Sequence, residues 1–229
     1  MSVYFEELDY RPTPIGALSL RRRRDLALGV DVFEIKLGED HLMSSSFTTS
    51  EIALARLGLA ELAGSGLEVV VGGLGLGYTA QAVLENQTVK SLAANETGLL
   101  PLGKALAEDP RCRFVCGDFF ALAGSKEGLD PEFPARRFHA VLVDIDHSPD
   151  NVLDPKNASF YQRRGLEALA RHLHPGGVFG LWSNEPPDPA FTARLGQVFA
   201  TARGAAVAFH NPLQNREVTQ TVYLASTAV

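Results

Sequence analysis

The first fifty residues alternate apolar and polar side chains with period two. Ala17-Leu18-Ser19-Leu20, Val30-Asp31-Val32-Phe33-Glu34-Ile35 and His41-Leu42-Met43 are separated by Gly16, Gly29 and Gly38. That pattern predicts a small antiparallel sheet over residues 1–49. From Ser50 the period changes. Ile52, Ala55, Leu59 and Leu62 recur at helical spacing, with Ser50 placed to cap the helix and Gly58 a weak point inside it. Beyond Leu67, strand and helix alternate. Leu67–Val71 is a continuous apolar run ending in glycines, as a strand buried on both faces would be. Tyr78–Leu84 is helical, and Arg113–Cys116 and Ala140–Val143 are further strands. A helix over Ala158–Leu173 meets a stop at Pro175-Gly176-Gly177, and Val178–Trp182 begins the next strand. Asp188 caps a helix to about Ala202, and Ala205–Phe209 and Thr221–Ala225 close the chain as a hairpin. Repeated strand–helix units imply an α/β fold over residues 50–229, its sheet mostly parallel with a C-terminal antiparallel hairpin.

Composition narrows the class without changing this picture. The 229 residues are 45 % hydrophobic and 21 % charged, ordinary globular usage and too apolar for a disordered chain. Lys plus Arg number 21 against 27 Asp plus Glu, a net charge of −6 that argues against nucleic acid or an anionic membrane as partner. The run Arg21–Arg24 is the local exception and reads as a solvated strand edge that resists pairing. Cys112 and Cys116 cannot build a disulfide framework or a four-ligand zinc site, and strand alternation makes them buried thiols. His41, His139, His172, His174 and His210 show no metal-ligand spacing, so no metal is assigned. Met1–Tyr10 carries Glu6, Glu7 and Asp9 and lacks the apolar segment of a secretion signal, and no run approaches ~18 apolar residues. A soluble, cytoplasmic protein is expected.

The segment richest in chemistry is Gly72-Gly73-Leu74-Gly75-Leu76-Gly77, between the first core strand and its helix. Glycines there let the backbone approach a ligand, and the helix start beyond offers unpaired N–H groups. A dinucleotide fold wants G-x-G-x-x-G. Counting from Gly73, the third glycine comes one residue early at Gly77, giving the G-x-G-x-G typical of S-adenosylmethionine-dependent transferases. Glu96 follows nineteen residues after Gly77, where a second strand should end and a carboxylate can accept both ribose hydroxyls. Gly117-Asp118-Phe119 closes the third strand, with Asp118 able to accept the adenine amine and Phe119 to pack near the ring.

From Leu67 to Ala225 the chain resembles the class I S-adenosylmethionine-dependent methyltransferase superfamily, and within it the spermidine synthases. Besides the glycine loop, the likeness rests on Phe138-His139-Ala140-Val141-Leu142-Val143-Asp144, then Ser148-Pro149 and Phe160-Tyr161, similar to the aminopropyltransferase strand, Asp-x-x-Asp-Pro segment and downstream Phe-Tyr. Leu173-His174-Pro175-Gly176-Gly177 resembles the turn before the superfamily's fifth strand. The resemblance implies a Rossmann-like methyltransferase sheet behind an N-terminal β region. It also implies S-adenosylmethionine or its decarboxylated form as cofactor, a small-molecule acceptor, and a homodimer. Gly72, Gly73, Gly75, Gly77, Glu96, Asp118, Phe119 and Asp144 would hold the cofactor. Asp144, Asp146 and His147 would do the chemistry, and Glu51, Tyr161 and Trp182 would line the acceptor side.

The departures from that family are specific. Gly75 stands where spermidine synthases carry an Asp for the donor amine, and His147 stands where the second Asp of the pair belongs, unless Asp146 substitutes. Of the acceptor-side tyrosine and acids only Glu51 has a match, within Ser44-Ser45-Ser46-Phe47-Thr48-Thr49-Ser50-Glu51. Lys90–Asn95 is a poor strand sequence, and the interval from Glu96 to Gly117 holds only a compact helix, about Leu99 to Ala107. The family reading is therefore a transferase for which putrescine is a poor acceptor. A small-molecule methyltransferase and a non-catalytic nucleoside-binding relative are the alternatives.

Overall fold

In the computed structural model, residues 4–27, 29–96, 103–211 and 216–229 are described. The N-terminal region is a four-stranded antiparallel sheet in the order β1 (Phe5–Thr13), β2 (Gly16–Asp25), β3 (Val30–Leu37), β4 (Asp40–Ser44). Its second strand corrects the reading of the arginine run. Arg21–Arg24 do not lie on an edge, because β2 is paired on both sides, to β1 and to β3. Cross-strand carboxylates make this tolerable: Glu6 lies 2.7 Å from Arg22, Glu34 2.8 Å from Arg23, and Asp31 3.1 Å from Arg24.

Helix α1 (Thr49–Ala60) leads into the main sheet. Ser50 does not cap it; Thr48 holds the cap position without a side-chain bond, and Ser50 is buried in the first turn. Gly58 has a packing reason, since a Cβ there would come 2.7 Å from a Leu142 methyl. The helix lies against the sheet through that gap, with Leu54 and Leu59 buried.

The chain then runs β5 (Leu67–Gly72), α2 (Tyr78–Glu85), β6 (Val89–Glu96), α3 (Gly103–Glu108), β7 (Cys112–Cys116), α4 (Phe119–Gly124) and β8 (Phe138–Val143). It continues through a 3-10 turn (Pro155–Ser159), α5 (Arg163–Ala170), β9 (Leu173–Ser183), α6 (Pro189–Leu195), β10 (Thr201–Asn211) and β11 (Arg216–Ser226). The seven-stranded order is β10-β11-β9-β8-β5-β6-β7, parallel from β7 to β9 and antiparallel at β11 and β10. Strand order reverses between β5 and β8, the switch point at which open α/β sheets bind ligands beyond their carboxyl ends.

Several boundaries differ from the sequence expectation for physical reasons. The weak sequence Lys90–Asn95 is nonetheless a strand, because β6 lies between β5 and β7 and buries Leu92, Ala93 and Ala94, so small apolar residues fit. The expected helix from Ala158 becomes the 3-10 turn and then α5: a Cβ at Gly165 would meet the backbone of Ser159 and Phe160, so the chain folds back tightly there. Asp188 does cap α6, accepting from the N–H groups of Ala190 and Phe191, but the helix stops at Leu195. Part of the compact helix expected from Leu99 lies outside the described residues; α3 is its described portion. Cys116 is exposed rather than buried, since it ends β7, while burial pushes the Cys112 thiol up to about 11.

Candidate active site

Glycine builds the floor of the site by permitting approaches no side chain could share. Gly73 has φ +83°, and a Cβ on it would run into the Asp144 carbonyl and come 2.6 Å from the Ile145 side chain. The loop therefore lies directly across the end of β8, where the Asp144 N–H donates to the Gly72 carbonyl at 2.8 Å. Gly75 (φ +52°) faces the N-terminal sheet, and a Cβ there would come 2.7 Å from the Met43 sulfur. That sulfur also accepts the Leu76 N–H at 3.2 Å, and Leu76 packs with Leu20 and Ile35. The small sheet thus seats on the loop through one thioether. Gly77 precedes α2 with φ +94°, and no side chain caps the helix.

Beside the loop two acids face each other with no cation between them among the described residues. Asp144 follows β8 and Glu51 lies in the first turn of α1, 6 % exposed. Burial and then the charge of Glu51 hold the Asp144 carboxyl well above its ordinary range, and burial raises Glu51 too. The Thr79 hydroxyl on α2 sits 3.5 Å from Asp144 Oδ2 and 3.3 Å from the Glu51 carbonyl oxygen. Glu51 Oε2 is 2.8 Å from the Ser50 hydroxyl, which also accepts from Trp182 Nε1 at 2.9 Å. The structure therefore brings together the glycine loop, Glu51, Asp144 and Trp182.

Other expected site residues are placed elsewhere. Asp146 does not face the reaction space: it is 2 % exposed and accepts from the Leu153 N–H, the Asn157 amide and the Tyr161 hydroxyl, so it organises the turn after β8. Tyr161 is buried in the same network, which removes it from any acceptor surface. Phe119 is likewise core rather than a ring partner: its ring fills the space beside Gly72, where a Cβ would come within 2.6 Å. Asp118 is exposed at the start of α4, accepts from the Phe120 and Ala121 N–H groups and lies 3.1 Å from Lys156. His147 is half-buried, and its carbonyl accepts the Asn184 N–H. Glu96 ends β6 opposite Cys116. Sequence reading missed Met43, Thr79 and Gln220 at this site. Ser50 and Gln220 meet across 170 positions, and no local pattern signals such a contact.

A second grouping was also invisible in the sequence. At the opposite edge of the sheet the ligand atoms of Glu68, His139 and His174 lie within 4.8 Å of one another. Two of the three are already engaged: the Glu68 N–H donates to His139 Nδ1 at 3.1 Å, which leaves the neutral ring's proton on Nε2, and Arg136 holds the Glu68 carboxylate at 2.7 Å.

The strand order, the glycine loop across the switch point and the preceding β sheet make an α/β, Rossmann-like fold shared with solved spermidine synthases and a methyltransferase. Solved structures similar to this chain agree. Spermidine synthase from Thermotoga maritima matches with TM-score 0.70 and 16 % identity over 97 % of this chain and 73 % of its own. A spermidine synthase complexed with the transition state analogue AdoDATO matches with TM-score 0.72 and 15 % identity, over 97 % and 74 %. Burkholderia thailandensis 1,6-didemethyltoxoflavin-N1-methyltransferase, with 1,6-didemethyltoxoflavin and S-adenosylhomocysteine bound, matches with TM-score 0.56 and 18 % identity, over 79 % and 80 %. No family model and no curated protein matches the chain.

Proposed function

We propose that the chain is a spermidine-synthase-like group transferase that takes an alkyl group from S-adenosylmethionine or its decarboxylated form and delivers it to a small-molecule acceptor. The observation that carries this reading is the Glu51–Asp144 pair, Glu51 buried and Asp144 half-buried, without a cation among the described residues, and with the Asp144 backbone against the glycine loop. The residues present suit such a donor. Gly73 and Gly77 keep the loop backbone open, Glu96 ends β6, and Asp118 and Asp144 follow β7 and β8, so a donor laid across these strand ends would meet all three. A bound sulfonium supplies an electrophilic carbon for in-line displacement. Asp144 orients the acceptor and takes the proton its nucleophilic atom releases as the new bond forms and the carbon–sulfur bond breaks.

Putrescine is a poor fit. Holding a dication needs carboxylates toward both ends, and here Asp146 is spent on the turn while Gly75 offers none. A specific observation favours methyl transfer over aminopropyl transfer: the space over Gly75 holds the Met43 thioether, which gives no charge to a donor amine.

Calorimetric titration with S-adenosylmethionine, its decarboxylated form and methylthioadenosine tests the reading. At least one should bind, and Gly73→Val should abolish that binding; a folded protein that binds none of the three refutes it. With the decarboxylated donor and putrescine, catalytic efficiency should stay below ~10⁴ M⁻¹s⁻¹, the low end of ordinary enzymes.

A further inference from the structure

The Ser50 hydroxyl meets three polar atoms: Trp182 Nε1 at 2.9 Å, Glu51 Oε2 at 2.8 Å and Gln220 Oε1 at 2.6 Å. A serine oxygen has one proton to give and two lone pairs to offer. The indole N–H can only donate, so it takes one lone pair. The Gln220 amide is oriented from its other side, where Nε2 donates to Asn184 Oδ1 at 2.8 Å, leaving its carbonyl oxygen toward Ser50. The single Ser50 proton goes to that oxygen, the shortest of the three contacts. What remains toward Glu51 is a lone pair. Against an ionised carboxylate that contact is repulsive in a buried setting; against a protonated one it is a hydrogen bond.

We propose that Ser50 and Gln220 are positioning residues that hold Glu51 in its neutral acid form, leaving Asp144 as the ionised member of the pair. The surroundings agree. The titratable groups facing Glu51 are Asp144 beyond β8 and the Tyr78 hydroxyl on α2. From β9 and β11, Trp182 and Gln220 reach its neighbour Ser50, and neither is charged. Two acids whose charges act on one another, with no cation beside them among the described residues, keep one proton between them. The catalytic consequence rests on the transferase reading above: Asp144 is free to take the acceptor's proton while Glu51 keeps its own.

Infrared titration of the ligand-free protein tests the proton's place directly. At neutral pH a carboxylic-acid carbonyl band should be present. It should move when glutamate, and not aspartate, is labelled with ¹³C, and it should vanish in Glu51→Gln. Gln220→Leu returns the Ser50 proton to Glu51, so the band should titrate away at least about one pH unit lower than in the parent protein. Asn184→Ala, at an exposed position, frees the Gln220 amide to turn and should shift the band the same way, which provides a second variant if Gln220→Leu does not fold. A band that follows the aspartate label, no acid band at all, or no shift in a folded Gln220 or Asn184 variant would overturn the proposal. Because no donor is present, a chain that fails to bind sulfonium compounds can still pass this test, and one that binds them can fail it.

Discussion

The two edges of the main sheet gather ionisable groups and treat them in opposite ways. At the edge where the parallel strands begin, Asp130 is fully buried but paired with Arg113 and lies 3.6 Å from Arg136, which also holds Glu68; Phe133 lies against both guanidinium groups. At the edge where the strands end, Glu51 is buried and Asp144 half-buried, with hydroxyls for company and no counter-ion among the described residues. Paired buried charges fix a structure, and removing one partner leaves the other stranded. Unpaired acids raise the free energy of the folded state, and they persist where a ligand or a reaction uses them. The contrast marks the second edge as the candidate site and the first as scaffold.

Substitution at each edge should split stability from activity in opposite directions. Asp144→Asn should lower the transfer rate by about 10²–10⁴-fold, the usual worth of a positioned acid or base, while the melting temperature holds or rises. Steady-state rates and a thermal scan of the same preparation check both halves; an active Asp144→Asn protein would remove the basis for calling this edge the site. Asp130→Asn should leave transfer unchanged in the folded fraction and cost about 2–3 kcal/mol in denaturant unfolding, below the full value for a buried pair because both arginines are partly exposed.

The fold was largely legible because it is written in local patterns. Period-two runs, the Val-rich β5, the glycine loop and the Asp188 cap each depend on neighbours in sequence, and each lies where that pattern puts it. Strand β6 was the hard case, since Ala93 and Ala94 gain their strand character from burial between β5 and β7. The site was half legible. Asp144 and the glycines follow strand ends, whereas Asp146, two residues on, is turned inward by Asn157 and Tyr161, contacts that no spacing announces. Glu51 bonds Ser50 within α1, and Ser50 in turn meets Trp182 on β9 and Gln220 on β11, so this environment exists only after folding.

The same comparison has a pH signature. For the coupled Glu51 and Asp144 the folded values are raised, so the native pair keeps a proton that the unfolded chain has released. Their contribution to stability is complete below the ordinary carboxylate value of ~4 and is lost as pH rises through the folded values. Asp109 behaves oppositely: the side-chain bond from Arg111 lowers it, so its contribution is present at neutral pH and is lost as pH falls through its folded value. Melting temperature against pH should therefore decline as pH rises above the ordinary carboxylate range in the parent protein, and less steeply in Glu51→Gln. An unchanged slope in that variant would mean Glu51 titrates alike in both states.

Asp118 gives the smallest test, since it stands at the site edge and yet is neutralised in the manner of the scaffold edge. Burial pushes its carboxyl up, but bonds from Lys156 and the Ala121 and Phe120 N–H groups outweigh that, and the net direction is down. One carboxylate oxygen, Oδ1, receives both backbone N–H groups, and the other, Oδ2, faces the Lys156 ammonium at 3.1 Å. An adenine amine reaching Asp118 would compete with that ammonium for the second oxygen. Lys156→Met should therefore tighten binding of the adenosyl donor, by no more than about five-fold, because an exposed ion pair is weak and salt already screens it. The gain should shrink as ionic strength rises and disappear for an inosine-based analogue, which has no amine to offer. Equal tightening for both nucleosides would assign Lys156 a steric role and leave Asp118 as a helix cap alone.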